Sequence, residues 1–360
     1  MKRILFIATH RKDRAPGQRF RFEQYFDYLN TKGFQCEFSF LFDASDDKAF
    51  YSHGKLLTKA VIFIRTFLKR FFETGKAKKF DIIFIFREAH IIGNTYLEKR
   101  FKRSGAKLVF DFDDAIWLQD MSDANKRFKF LKNSAKTPDI ISLCDMVFAG
   151  NQYLADYAGD YCDDVRIVPT TIDTNEYAYV NKQNTGKVCI GWSGSITTIK
   201  HFGTALPFLR QIKERYGDKV SFKVIGDGNY INEELDIKGV PWTKEDELQQ
   251  LSEIDIGIMP LPDDKWAKGK CALKGLQYMA LGIPTIMSPV GVNSDIIQDG
   301  ENGYLANEES EWTDKLSQLV DSFELRKRIG DQGRKTVVEE FSVTANQELY
   351  LKCFSDLIGH

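Results

Sequence analysis

Along the chain, short runs apolar at consecutive positions alternate with longer stretches in which apolar residues recur every three or four positions. The first kind of run is the signature of strands buried on both faces, the second of helices laid over them, so the order predicts α/β layers with mostly parallel strands. In the first half the predicted strands are 3–9 (RILFIAT), 35–42, 81–86 (DIIFIF), 107–112 (KLVFDF), 146–150 (MVFAG) and 165–169 (VRIVP), with helices from about Gln18 to Thr31, in the basic stretch after 55, and near 94–104. A polar stretch from about Asn175 to Thr185 reads as a linker. A second set then begins, with strands 188–192, 220–225, 255–260 and 284–288 and helices near 203–216, 244–252, 271–281 and 312–330. We therefore expect two Rossmann-like doubly wound domains, 1–180 and 181–334, followed by a helical segment, 335–360. Ligands of such sheets bind at the carboxyl ends of the strands, so a reaction would lie in the cleft where two of them face each other.

With 360 residues, 43% of them hydrophobic, the chain is long enough for two cores. No run of eighteen apolar residues occurs, and Ile4–Ala8 is too short for a signal peptide, which leads us to expect a cytoplasmic protein. Six cysteines without a C-x-x-C pair argue against a zinc site and a disulfide framework. The net charge of −1 conceals an asymmetry: residues 1–110 carry 23 Lys/Arg against 11 Asp/Glu. A basic half seeks anionic partners. Its densest part, Lys55 to Lys79, interleaves eight cations and one acid, Glu73, with aromatic and aliphatic residues. Two readings stand: an amphipathic helix lying on an anionic membrane, at its inner face, or an ordinary helix whose apolar stripe covers the sheet while its lysines face water. Nucleic acid is not expected, because no recognition motif accompanies the charge.

Candidate chemistry concentrates in the second half. Lys270 and Lys274 sit one turn apart where a helix would begin, sharing a face beside free backbone N–H groups, a setting suited to a diphosphate. Strand 188–192 opens into Ser193, Gly194 and Ser195, a loop of small residues that would let backbone N–H groups approach an anion, with Lys200 following. Gly226, at the end of the next strand, would bring backbone close to a ligand, and Trp242 precedes a helix, where it can stack on a base or pack against its neighbour.

The order PLP…K…K…QYMALGIPTI…GVNSDIIQDGENGYL, within 257–305, resembles the retaining glycosyltransferases of the GT-B fold, family 4. The resemblance implies a nucleotide-diphosphate sugar as donor, UDP before GDP, a glycan or lipid-linked acceptor in surface polysaccharide or glycoconjugate synthesis, no cofactor or metal, and a last helix that crosses back to the first domain. It puts Ser195 where relatives carry a diphosphate-binding Arg, and keeps their Lys as Lys200. The two carboxylates of the family's Glu-x7-Glu motif fall on Gly269 and Gln277. Gln277 would keep a hydrogen bond to the ribose, Asp263 and Asp264 on the loop after the strand either reach sugar hydroxyls in place of the first Glu or are merely solvated, and Cys271 lies in the same donor segment. Lys274, three residues before Gln277 in K-x-x-Q-Y-M-A, is the residue expected to stabilise the leaving phosphate.

On the acceptor side, the run VFDFDDAIW places Asp111, Asp113 and Asp114 at a strand end. Aligned with a His–Asp pair of many relatives, Asp113 and Asp114 would accept a proton or stabilise an oxocarbenium-like transition state; alternatively these acids cap the next helix or pair with Arg87. Gly17, Arg19, Arg21, Arg87 and Glu88 are candidate acceptor-binding residues, although two arginines spaced by two point to different sides of a helix. His90 is expected to be structural. The rivals are an epimerase or hydrolase sharing the fold and an inert nucleotide-sugar-binding protein.

Overall fold

The computed structural model describes residues 1–52, 54–118 and 133–359. The chain forms two compact units, one of Met1–Pro169 with Gln347–His360, the other of Thr170–Asn346.

The first unit is built on a sheet of β1 (Lys2–His10), β2 (Phe34–Phe42), β3 (Ile82–Phe86), β4 (Lys107–Phe112), β5 (Met146–Ala149) and β6 (Val165–Ile167), in the order β2-β1-β3-β4-β5-β6. Every pair is parallel. Helices on both faces explain why β3 and β5 are buried at each position whereas edge strand β2 is not. Phenylalanines fill the centre. Phe6 stacks on Phe22 at 5.5 Å and meets Phe84 at 4.9 Å and Phe354, from the last helix, at 6.1 Å. Tyr350 of that helix stacks on Tyr25 at 3.9 Å and its hydroxyl donates to the Arg21 carbonyl. These contacts place Gln347–His360 in this core.

The second unit contains β7 (Val188–Ser193), β8 (Val220–Gly226), an antiparallel ribbon of β9 (Ile231–Asn232) and β10 (Ile237–Lys238), then β11 (Val240–Pro241), β12 (Ile256–Met259), β13 (Thr285–Met287) and β14 (Tyr304–Leu305). Its main sheet runs β11-β8-β7-β12-β13-β14, again all parallel. In each unit the strand order reverses once, between β1 and β3 and between β7 and β12, and those two switch points are where a doubly wound sheet opens a crevice for ligands.

Three departures from the sequence reading have local causes. The helix expected from Gln18 to Thr31 is broken into Pro16–Arg19, a 3₁₀ turn Glu23–Tyr25 and Phe26–Thr31, and at the break Arg21 and Phe22 are fully buried. The expected 312–330 helix is two, Glu309–Asp321 and Phe323–Thr336, because the Ser322 hydroxyl accepts from Leu325 N at 3.1 Å and caps the second. The stretch assigned as linker is tied into the second unit. Buried Tyr177 donates to Glu247 at 2.7 Å, Tyr179 donates to Asp331 at 2.7 Å, and Val180 N donates to the Leu281 carbonyl at 3.0 Å.

Candidate functional site

At the switch point of the second unit, β7 ends in Ser193 and β12 leads into the segment that carries Lys270 and Lys274. The helix Leu273–Ala280 begins from Ala272, which is held at φ 55°, a left-handed conformation that costs a residue with a side chain about 1–2 kcal/mol. This turn sets the helix start, whose first N–H groups have no acceptor within the helix. The Lys274 ammonium lies 5.2 Å from the centre of the Trp192 ring, and Lys270 lies 5.3 Å from that of Trp266. Trp192 is buried and packs on Phe202 at 5.7 Å, so β7, the helix Ile199–Gly203 and the Lys274 side chain meet in one cluster.

His201, absent from the sequence reading, sits in this cluster. It is only 5% exposed, and its Nε2 is buried with no hydrogen-bond partner among the described residues. Burial and the charges of Lys274, Lys270 and Lys200 push its pKa down to about 4, against a small opposing pull from Asp264. Three lysine charges thus act on one neutral imidazole whose Nε2 has no partner among the described residues. A lone histidine beside a lysine carries no signal of this in the sequence.

The loop 193–195 works differently from the expectation. Its three amides already have acceptors within the protein: Ser193 N donates to the Tyr278 hydroxyl at 2.7 Å, Gly194 N to the Ile225 carbonyl at 2.9 Å and Ser195 N to Thr198 Oγ1 at 3.0 Å. What the loop presents instead is hydroxyls, Ser195 Oγ lying 2.9 Å from Thr197 Oγ1 and 3.2 Å from Thr198 Oγ1. Gly226, at φ 134°, is required by packing, since a Cβ there would sit 1.8 Å from the Gly194 carbonyl oxygen.

Gln277 and Trp242 are also committed internally. The Gln277 amide donates to the Tyr177 hydroxyl at 3.0 Å and to Glu247 Oε1 at 3.2 Å, while Trp242 Nε1 donates to the same Glu247 oxygen at 2.9 Å. Both Gln277 N–H groups are thus used within the protein. Glu247, not among the expected residues, is the carboxylate at the centre of this network. Asp263 forms an exposed ion pair with Lys268 at 3.1 Å, Asp264 caps the helix Lys265–Lys268 through Ala267 N at 2.7 Å, and Cys271 is buried.

In the first unit, the loops after β1, β3 and β4 bring Gly17, Arg87, Asp113 and Asp114 together. Arg87, at φ 62°, donates to Asp113 Oδ1 from Nε at 2.9 Å and Nη2 at 2.6 Å, and to Asp114 Oδ2 at 2.7 Å. Burial disfavours its charge, but the two carboxylates outweigh that and hold it cationic. Gly17 fits because a Cβ would stand 2.8 Å from Asp113 Oδ2 and 2.9 Å from Phe86 Cζ. The pairing alternative for Asp113 and Asp114 is thus the arrangement present.

Arg21 does not face a ligand. It is fully buried, bonded to Asp111 and to the Val168 carbonyl, while Arg19 is buried with its guanidinium over Phe20 at 4.6 Å. Of the D-F-D triplet, Asp111 is thus committed to Arg21 and Asp113 to Arg87. Glu88 pairs with Lys136 at 2.6 Å. His90 is fully buried, Nδ1 accepting from Ile92 N at 3.1 Å and Nε2 lying 3.0 Å from Thr66 Oγ1, and burial with the nearby charges of Arg70 and Lys136 lowers its pKa to about 3.

The chain is similar to known proteins in part of its sequence and in its fold. Residues 187–322 match the family described as glycosyl transferases group 1. A stretch of 68 residues, 18% of each chain, is 32% identical to spore coat protein SA of Bacillus subtilis. Among solved structures, sucrose-phosphate synthase of Thermosynechococcus elongatus superposes over all of both chains with a TM-score of 0.70 at 12% identity. Anabaena HepE, in complex with UDP-glucose, superposes over 99% of this chain and 100% of its own, with a TM-score of 0.69 at 13% identity. Residues 187–322 of the second unit therefore resemble the glycosyl transferases group 1 family, and the chain as a whole shares the GT-B fold of these solved structures.

Proposed function

We propose that the protein is a metal-independent, retaining hexosyltransferase that uses a UDP-sugar and delivers the sugar to a glycan or lipid-linked acceptor in surface polysaccharide or glycoconjugate synthesis. The observation that carries this reading is the gathering of Lys200, Lys270 and Lys274 around buried His201, beside a helix start at the switch point of the second sheet. The HepE complex supports UDP as the nucleotide.

In this reaction the bond between the sugar C1 and the β-phosphate oxygen breaks, a bond from the acceptor oxygen to C1 forms, and the acceptor proton leaves on the released nucleotide. Negative charge builds on the β-phosphate as the C–O bond stretches. A lysine already held in place stabilises that charge more in the transition state than in the ground state, which accelerates the step. Lys274 takes this role, Lys270 and Lys200 hold the rest of the diphosphate, and the Ser195 and Thr197 hydroxyls supply donors where relatives carry an arginine. Asp113 and Asp114, fixed by Arg87, serve the acceptor. The missing carboxylate at Gly269 favours one second reading, a nucleotide-sugar-binding protein without turnover.

Saturation-difference NMR with UDP, GDP, ADP and CMP, each competed by its sugar conjugates, tests the donor. Selective binding of UDP and UDP-sugar is expected. Preference for another nucleotide would overturn the UDP assignment, and absence of all binding by the folded protein would overturn the site.

His201 provides a second check. Free, its ring stays neutral down to about pH 4. A bound diphosphate places negative charge beside it and favours the imidazolium, so its NMR titration midpoint rises on adding UDP. Binding then takes up a proton, and UDP affinity increases as pH falls through the raised midpoint. A midpoint unmoved by saturating UDP would place the diphosphate elsewhere.

A further inference from the structure

The basic helix Leu56–Lys76 is amphipathic in the reverse of the usual sense. Its buried positions are Lys59, Ile62, Thr66, Arg70 and Thr74. Arg70 is wholly buried and donates to the carbonyls of Ala89 at 2.9 Å and Ala8 at 3.2 Å and to Ser39 Oγ at 3.0 Å, so polar groups attach this helix to its unit. The outward face carries Leu57, Val61, Ile64, Leu68 and Phe72, exposed at 85, 64, 58, 45 and 64%. Their spacing by threes and fours aligns them in one stripe roughly 25 Å long. Both sequence readings are thereby refined, because the apolar stripe covers no sheet. Exposed Tyr96 adds an amphipathic ring next to it, stacked on Phe71 at 6.5 Å.

Charge identifies what the stripe meets. Residues 55–79 hold eight cations and one acid, Glu73, and that acid is engaged by Arg70 and Ser39. Lys55, Lys69, Lys76, Lys78 and Lys79 remain exposed along the helix and just beyond it. A second copy of this chain would bring like charges together, whereas an anionic bilayer satisfies both features at once. We propose that Leu56–Lys76 lies flat on a membrane rich in anionic lipid, its stripe in the boundary between headgroups and acyl chains and its lysines on the lipid phosphates. No helix among the described residues is long and apolar enough to cross a membrane. The proposal does not depend on the donor chemistry, and its test contains no nucleotide.

The full chain is sedimented with phosphatidylglycerol–phosphatidylcholine vesicles and, separately, with vesicles of phosphatidylcholine alone. Binding to the former is expected, weakening with added salt. Ile64→Ser with Leu68→Ser should reduce it by about tenfold or more, since the variant withdraws less apolar surface from water on binding. Lys76→Gln with Lys78→Gln and Lys79→Gln should remove the preference for the anionic vesicles. Because these side chains are exposed, an unchanged Tm verifies that each variant is folded. The proposal is overturned by failure of the parent protein to sediment, by equal binding to both vesicle types, by stripe variants that bind like the parent, or by a solution dimer that the stripe variants dissociate.

Discussion

Lys274→Ala lowers the rate of UDP release from the sugar donor by about a hundredfold or more, while the thermal stability of the protein changes little. Loss of one preorganised group aimed at a developing charge costs about 3–4 kcal/mol of barrier. The folded state loses much less: the ammonium at 5.2 Å from the Trp192 ring contributes about 0.5–2 kcal/mol, and Trp192 itself stays packed against Phe202. Lys274→Met separates charge from stem, because it keeps most of the apolar contact with the ring and removes the cation. It should be as slow as the alanine variant and more stable. Activity of either variant equal to the parent at saturating donor would remove Lys274 from the reaction, and a large fall in Tm would mark it as structural.

Arg21→Met destabilises the first unit by about 3–5 kcal/mol, the usual cost of leaving one member of a buried ion pair alone. Arg21 and Asp111 are both fully buried, with Arg21 Nε 3.2 and 3.3 Å from the two carboxylate oxygens. Burial raises the Asp111 pKa and the Arg21 charge opposes that rise. With the arginine gone, the carboxyl becomes harder still to ionise in the folded protein. A carboxyl whose folded pKa lies above its unfolded value stabilises the fold below the unfolded value, and that contribution disappears as pH rises through the folded one. The penalty of Arg21→Met should accordingly be greater at pH 7 than at pH 4. Pairing it with Asp111→Leu removes the stranded charge and should recover much of the loss. Denaturant unfolding of the three proteins at both pH values checks this, and an Arg21→Met penalty that does not change with pH would show that the buried charge is not its source.

The central strands were legible in the sequence because a sheet covered on both faces demands unbroken apolar runs, and RILFIAT and DIIFIF have no other economical reading. The Lys274 helix was legible for a similarly local reason, but it begins at Leu273 after the left-handed Ala272, so Lys270 lies before it and not one turn away on a shared helix face. Most of what redefines the site depends on partners far away along the chain. Tyr278 captures the Ser193 amide across 85 residues, Gln277 reaches Tyr177 across 100, and Arg21 reaches Asp111 across 90. Each converts an apparent ligand-facing group into an internal one, and periodicity carries no information about it. The basic helix shows the same limit in reverse. Its two faces are plain from the sequence, but which of them points inward is decided by Arg70, whose carbonyl acceptors come from other elements.

Calorimetric titration of UDP into the parent protein and into the Lys270→Ala, Lys274→Ala double variant tests the donor site most directly. Saturable binding by the parent, weakened by about a hundredfold or more in a double variant that still folds, is the expected result, each charged contact contributing about 1.5–3 kcal/mol. Equal affinity in the two proteins would contradict the assignment of the diphosphate to the lysines around His201.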